Sequence, residues 1–497
     1  MQKRKNKYKF DTLQIHAGSR PDPSTGARQV PIYQNTAYVF KSILHAEALF
    51  NLQELGYIYS RLSNPTVSVL QERIATIEEG IGAICCSSGH AAQILALFPL
   101  MQPGDNIIAS SRLYGGTIQQ FSNTIKKFGW KAKFIDIDNY KAINESVDSS
   151  TKAIFCESIS NPGGHVTNLP KVAEITKKHS IPLIVDNTAA TPYLCKPFEF
   201  GADLVVHSTT KYMSGNGTSV GGAVVDKGTF NWSKNNKFPS LSKPEPAYHG
   251  LRFHDTFGPY SYIIYGMAVS MRDLGMTMSP QNAFHTLLGL ETLSLRMKQH
   301  VKNSIKISSW LEKHPLIENV SYVGLNSSKY AKIVKKIFPK GAGALFTIAL
   351  KDGYDACLEL VNNVELFSHV ANLGDTRSLI IHPASTVHRQ LTKEQQKLLK
   401  EYETQDKKFK DESNALKKQE TELIEQKKSL SSEDYKKKVS ALRKKNVDFQ
   451  SRRRQASSDF VKKKNDARDT LIKAINPILQ KYMSENNIMM IINEKNV

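Results

Sequence analysis

Residues 182–211 read PLIVDNTAATPYLCKPFEFGADLVVHSTTK. Two short apolar runs, 182–185 and 204–206, stand in this stretch. Both are unalternating and rich in β-branched residues, the pattern of strands buried on both faces. The first ends in Asp186-Asn187-Thr188 and the second in His207-Ser208-Thr209-Thr210-Lys211. Outward from this core the same kind of run recurs at 83–86, 106–109, 133–137, 153–156 and 222–225. The gaps have room for helices, for example 91–101, 117–128 and 169–179. Strands alternating with helices predict an α/β fold: a mainly parallel sheet with helices on both faces. Ligands of such sheets bind beyond the carboxyl ends of the strands, so the polar residues just after each run are the candidates.

Three of these ends combine into one chemistry. The run 82–86 passes into Ser87-Ser88-Gly89-His90 and then a helical segment, a turn whose free N–H groups can hold a phosphate. Alone this signal is weak, because strand-to-helix turns often contain glycine for steric reasons. Asp186 alone reads equally as a helix cap or as the partner of a buried cation. Lys211 alone reads equally as a surface lysine. Together they supply a phosphate cradle, a carboxylate and an amine. That set fits pyridoxal phosphate, whose aldehyde condenses with an amine and whose ring nitrogen needs an anionic partner.

The chain has 497 residues, enough for three or four domains of roughly 100–200 residues each. It is 40% hydrophobic, which excludes wholesale disorder. The net charge of +21 is spread over both ends: +12 over residues 1–396 and +9 over residues 397–497. All 28 glycines and all five cysteines precede residue 397. Compositionally the chain is two proteins. Five cysteines (Cys85, Cys86, Cys156, Cys195, Cys357), an odd number without CxxC spacing, read as buried free thiols of a reducing compartment. A basic start lacks the apolar stretch of a signal peptide, and no run approaches the roughly 18 apolar residues of a membrane span. A cytoplasmic protein without membrane association is the expectation.

The segments TLQIHAGSRPDPSTGARQVPIYQNTAYVF (12–40), YSRLSNPT (59–66), SSGHAA (87–92), LYGGT (113–117), ESISNPGG (157–164), VDNTAATP (185–192), HSTTKYMSGNG (207–217) and SLIIHPASTVHRQL (378–391) follow one another in order. With FPSLSKPEPAYHGLRF (238–253) and LGLETLSLRMKQH (288–300), the chain over about residues 10–396 resembles the cystathionine gamma-synthase group of pyridoxal-phosphate enzymes, and most the O-acetylhomoserine sulfhydrylases. The resemblance implies the fold type I architecture with a seven-stranded sheet. It implies an N-terminal arm (1–62) serving a neighbouring subunit, a cofactor domain (63–270) and a small α+β domain (271–396). Lys211 matches the lysine that holds the cofactor and shuttles protons, Asp186 the partner of the ring nitrogen, and Tyr114 the stacking tyrosine. These three are the catalytic candidates. Ser88, Gly89, His90, Ser208 and Thr210 match the phosphate site, and Asn161 the residue near the ring hydroxyl. Tyr59 and Arg61 match a pair that reaches the phosphate of the neighbouring subunit, which implies a dimer at least; tetramers are usual in the family. Ser378 matches the late substrate-binding strand. No metal is implied. The implied reaction is gamma-replacement of O-acetylhomoserine by sulfide or a thiol, giving homocysteine in methionine biosynthesis.

After residue 396 the resemblance breaks. The family continues with an Arg-Leu-Ser-Val-Gly strand whose arginine clamps the substrate carboxylate, a natural bidentate pairing. Here the chain reads Lys397-Leu398-Leu399-Lys400-Glu401 instead. The small domain is therefore expected to be truncated, to expose apolar surface and to bind amino acid weakly.

In the tail, Tyr402, Phe409, Leu416, Leu423 and Leu430 are spaced by seven, as are Tyr435, Leu442, Phe449 and Ala456 after Ser431-Ser432-Glu433-Asp434. Single apolar stripes at this spacing predict two helices paired in an antiparallel coiled-coil hairpin. The region 471–482 is apolar around Pro477, and 488–492 reads as a strand. From LSSEDYKKKVSALRKKNVDFQ (430–450) to NPILQKYMSENNIMMIINEKN (476–496), the tail resembles the second half of the OmpH/Skp periplasmic chaperones, which implies unfolded proteins as partners. Its 16 acidic residues interleave with 25 basic ones, which argues against nucleic acid. The rival reading is a chaperone-like fusion with an inert enzyme body.

Overall fold

The computed structural model describes residues 8–383 except 163, and beyond them 386, 409, 411–425, 431–453, 455, 456 and 459. The chain divides into two compact units, Met1–His382 and Pro383–Val497.

All seven apolar runs of the body become strands of one sheet: β1 (Gly82–Cys86), β2 (Asn106–Ser110), β3 (Lys131–Ile135), β4 (Thr151–Glu157), β5 (Leu183–Asp186), β6 (Leu204–His207) and β7 (Gly222–Asp226). Their order is β1-β7-β6-β5-β4-β2-β3, and β7 alone runs against the others. Alternate residues of each strand feed two separate cores. Ile154, Cys156, Leu183 and Val185 pack on one face, and Ala153, Phe155, Ile184 and Val206 on the other. Burial on both faces is why the runs do not alternate. After α1 (Phe10–His16) and α2 (Ile43–Phe50), α3 (Pro65–Glu78), capped by Asn64, covers the first face; α4 (Gly89–Leu97), capped by Ser88, covers the second.

Two elements differ from the sequence reading. β3 begins two residues before the apolar run at 133–137, because it pairs with β2 from Lys131 opposite Asn106. As the sheet's edge, it follows its partner's register rather than its own hydropathy. The helix expected at 117–128 is α5 (Gly115–Gln119) followed by a looser turn (Gln120–Thr124) and a tighter one (Ile125–Phe128).

The small domain is α+β: β8 (Ile317–Ser321) pairs antiparallel with β9 (Thr347–Leu350), and β10 (Ser368–His369) parallel with β11 (Leu379–Ile380). Leu295, Trp310, Leu316 and Leu366 are exposed. Cys85, Cys86, Cys156 and Cys195 are buried, and Cys357 is half-buried. Among the described residues, no helix is long and apolar enough to cross a membrane.

In the tail, residues 411–425 and 432–453 are helical. Leu416 and Phe449 are buried, and Phe409, Leu423, Tyr435, Leu442 and Ala456 half-buried, among mostly exposed neighbours. The Phe409 ring meets that of Phe449 at 6.0 Å, and Arg452 pairs with Glu412. Leu423 shares a cleft with Lys438, Ala441 and Leu442, so the two stretches run in opposite directions. Tyr402 and Leu430, and the features read at 471–482 and 488–492, lie outside the described residues.

One buried charge gives a stability prediction. Asp226 ends β7 fully buried; its Oδ1 accepts from Gly228 N–H at 2.9 Å, and its Oδ2 has no partner among the described residues. Burial, helped by nearby Asp203, pushes its carboxyl up to about 7. The folded chain therefore holds this proton where the unfolded chain has released it. The stabilising contribution is complete below the ordinary aspartate range and is lost as pH rises toward 7. Urea unfolding of the cofactor-free chain at pH 5 and pH 8 is expected to show the parent losing about 1–3 kcal/mol more than Asp226→Asn. Equal losses in the two proteins would refute it.

Candidate active site

The carboxyl ends of β1, β2, β4, β5 and β6 carry the candidate residues into one region. Beyond β1, the Ser88 hydroxyl accepts from Ala91 N–H at 3.1 Å and caps α4. The N–H groups of Gly89 and His90, in the first turn of α4, have no carbonyl within the helix to bond. A Cβ on Gly89 would stand 2.7 Å from Ser208 Cβ, and one on Gly222 would stand 2.1 Å from Ser88 O. Only glycine lets the helix start, the β6 turn and β7 approach this closely. The His90 ring stacks on Tyr114 at 6.0 Å and 25°. Burial lowers the His90 pKa against the opposing charge of Asp186.

Beyond β5, Asp186 Oδ1 accepts from Thr188 N–H at 3.0 Å, and its Oδ2 accepts from Gln93 Nε2 of α4 at 3.5 Å. Beyond β6, the Lys211 Nζ donates to Asn372 Oδ1 at 2.7 Å, and burial lowers its pKa. Ser208 N–H donates to Thr188 Oγ1 at 2.8 Å, tying the lysine turn to the aspartate turn. Tyr114 stands at the start of α5 with 43% of its surface exposed. Its N–H donates to Glu157 Oε1 at 2.6 Å, and Asn161 N–H donates to Glu157 Oε2 at 2.9 Å.

Four expected residues stand apart from this cluster. The Thr210 hydroxyl donates to Gly221 O at 3.1 Å and accepts from Gly221 N–H at 3.0 Å, so it is engaged in bracing the lysine turn. Tyr59 and Arg61 lie on the arm, with the guanidinium 5.6 Å over the tyrosine ring. Ser378 is exposed, and its described hydrogen bond is the one its carbonyl accepts from Ser368 N–H. The small-domain residue that meets Lys211 is Asn372, six positions earlier. Gly374 makes that approach possible: a Cβ there would lie 2.9 Å from Lys211 Cα.

Sequence reasoning missed Asn372, Glu157 and Arg296. The Arg296 guanidinium donates to Tyr212 O at 2.7 Å and Gly289 O at 2.6 Å, clamping the backbone just after Lys211. Glu157 and Arg296 both sit inside segments quoted above for their resemblance. A carboxylate at the last position of a buried strand, as at Asp186, was the available signal for Glu157.

The site residues fit pyridoxal phosphate. Free helix-start N–H groups and the Ser208 hydroxyl suit a phosphate; Asp186 suits a cationic ring nitrogen; a buried amine of lowered pKa suits an aldehyde. The chain belongs to the family described as Cys/Met metabolism PLP-dependent enzyme, which it matches over residues 11–404. It is a pyridoxal-phosphate enzyme of fold type I.

Within that family it is similar to the homocysteine synthase of Schizosaccharomyces pombe, with 45% identity over 78% of this chain and 91% of the relative. It is 43% identical to the O-acetyl-L-homoserine sulfhydrylase of Leptospira meyeri over 78% of this chain and 89% of the relative. A Campylobacter jejuni structure assigned as an O-acetylhomoserine (thiol)-lyase, with an N'-pyridoxyl-lysine-5'-monophosphate in its chain, superposes with TM-score 0.75. It has 43% identity over 78% of this chain and 92% of that one. Residues 383–497 match the family described as outer membrane protein (OmpH-like).

Proposed function

We propose that the chain catalyses gamma-replacement, converting O-acetylhomoserine and hydrogen sulfide to homocysteine and acetic acid. The Cγ–O bond to acetate breaks and a Cγ–S bond forms, with the proton of the sulfide balancing the departing acetate. The observation that carries this reading is the convergence of Lys211, Asp186, Tyr114 and the open start of α4 at the carboxyl ends of β6, β5, β2 and β1 of one sheet. It stands beside the 43–45% identity to relatives bearing sulfhydrylase and homocysteine synthase names. Bound there, pyridoxal phosphate supplies an electron sink for the substrate's Cα and Cβ bonds.

The chain's own residues do the rest. Gly89 and His90 offer backbone N–H groups, and Ser208 a hydroxyl, to the phosphate. Asp186 holds a proton on the ring nitrogen, and the half-exposed Tyr114 ring offers a stacking face. Asn161 lies on the ring-hydroxyl side of the family pattern. Lys211 takes and returns the Cα and Cβ protons, a role for which an amine of lowered pKa is suited at neutral pH. Asn372 accepts a hydrogen bond from that amine and can orient it.

Tyr59 and Arg61 are assigned to the phosphate of a neighbouring copy. The arm that bears them exposes Val39, Ile43, Leu44 and Leu55, apolar surface that a second copy would cover. A homo-oligomer, a cytoplasmic setting and the binding of unfolded chains by the tail belong to the same proposal. The full-length chain, pyridoxal phosphate, O-acetylhomoserine and sulfide are expected to yield homocysteine and acetate in equal amounts by mass spectrometry. No homocysteine at any donor concentration would overturn the reading.

A further inference from the structure

Glu157 ends β4 and is 6% exposed. Its Cα is the register partner of Asp186 on β5. Paired residues of neighbouring strands leave a sheet on the same face. Here that is the face of Phe155 and Ile184, which α4 covers. The acidic side chains assigned to the site thus sit side by side at the sheet's end.

Both oxygens of Glu157 are used. Oε1 accepts from Tyr114 N–H at 2.6 Å, and Oε2 accepts from Asn161 N–H at 2.9 Å. These donors belong to two loops, one following β2 and the other following β4, joined by this carboxylate. The backbone of Glu157 is fixed in turn: Thr167 Oγ1 donates to its carbonyl at 2.7 Å, and the next residue, Ser158, bonds Asn187 Oδ1 at 2.8 Å. Burial and the charge of Asp186 push the Glu157 carboxyl up, and the two N–H groups oppose them. A buried acid set against a second acid is costly unless its oxygens are satisfied. These two bonds satisfy it.

We infer that Glu157 is a positioning residue: it sets the Tyr114 loop and the Asn161 loop, which would offer a stacking ring and an amide side chain to the cofactor, at a fixed separation. The inference rests on the cofactor reading above. Glu157 itself need not touch the cofactor or the substrate.

The test uses the full chain with Glu157→Ala and Glu157→Gln. In cofactor-free protein, hydrogen–deuterium exchange of peptides covering Tyr114 and Asn161 is expected to rise about tenfold or more in the alanine variant. The glutamine variant, which keeps one acceptor oxygen, should show a smaller rise. Peptides of β5 and β6 should exchange as in the parent. At saturating pyridoxal phosphate, the visible circular dichroism of the bound chromophore reports how its surroundings hold it. It is expected to fall by half or more in Glu157→Ala and less in Glu157→Gln. Unchanged exchange at both loops, or unchanged dichroism in both variants, overturns the inference. A parent chain with no cofactor dichroism overturns the cofactor reading instead, while the exchange result still decides whether Glu157 ties the two loops.

Discussion

Lys211→Ala is expected to abolish turnover and to leave pyridoxal phosphate without a covalent anchor. The amine is half-buried at the end of β6, meets Asn372 at 2.7 Å, and has its pKa lowered by burial. A larger share of it is neutral near pH 8 than for a surface lysine, and only the neutral form attacks an aldehyde. Loss of a positioned proton carrier costs about 10²–10⁴-fold in rate, and loss of the covalent link adds to this. Borohydride treatment followed by peptide mass mapping should fix a pyridoxyl group on the Lys211 peptide of the parent and on no peptide of the variant. Turnover within tenfold of the parent, or a pyridoxyl group on another lysine in the parent, would sink the assignment.

Weak binding of the amino-acid donor is the second large effect. The Arg-Leu-Ser-Val-Gly strand that the resemblance leads one to expect does not occur in the sequence, which reads Lys397-Leu398-Leu399-Lys400-Glu401 after residue 396. On the turn that carries Asn372, the guanidinium is that of Arg377, which is largely exposed and paired with Asp375 at 3.2 Å. A hydrogen bond to a charged group contributes about 1.5–3 kcal/mol. Its loss corresponds to roughly 10–150-fold in affinity. Titration with O-acetylhomoserine should therefore saturate only above about 1 mM, beyond the usual range of KM. Pyridoxal phosphate itself should bind tightly, because the residues proposed to hold it follow β1, β5 and β6. Saturation by micromolar donor would mean that another group holds the carboxylate.

The candidate site was legible in the sequence to the extent that its residues act through strand ends. Asp186 stands directly after one apolar run and Lys211 five residues after another, so the succession of the runs marks their places. Ser88 and Gly89 were legible for the same reason. Thr210 is a phosphate candidate only through the resemblance, and in the fold its hydroxyl bonds Gly221, eleven residues on. Ser378 and Asn372 stand in the same stretch. Only the approach of Gly374 to the Lys211 backbone singles out the asparagine, across 161 positions of sequence.

Hydropathy by itself marked the seven strands and the room for helices at 91–101 and 169–179, and composition marked the change of character near the last hundred residues. These follow from local rules: a strand buried on both faces must be apolar throughout, and a single heptad stripe makes a helix with one sticky side. Tertiary structure alone decided the start of β3, the role of Glu157 between two loops, and the pairing of Lys211 with Asn372. Each depends on which strand lies beside which and in what register, and a hydrogen bond between distant residues leaves no periodic trace in the chain that makes it.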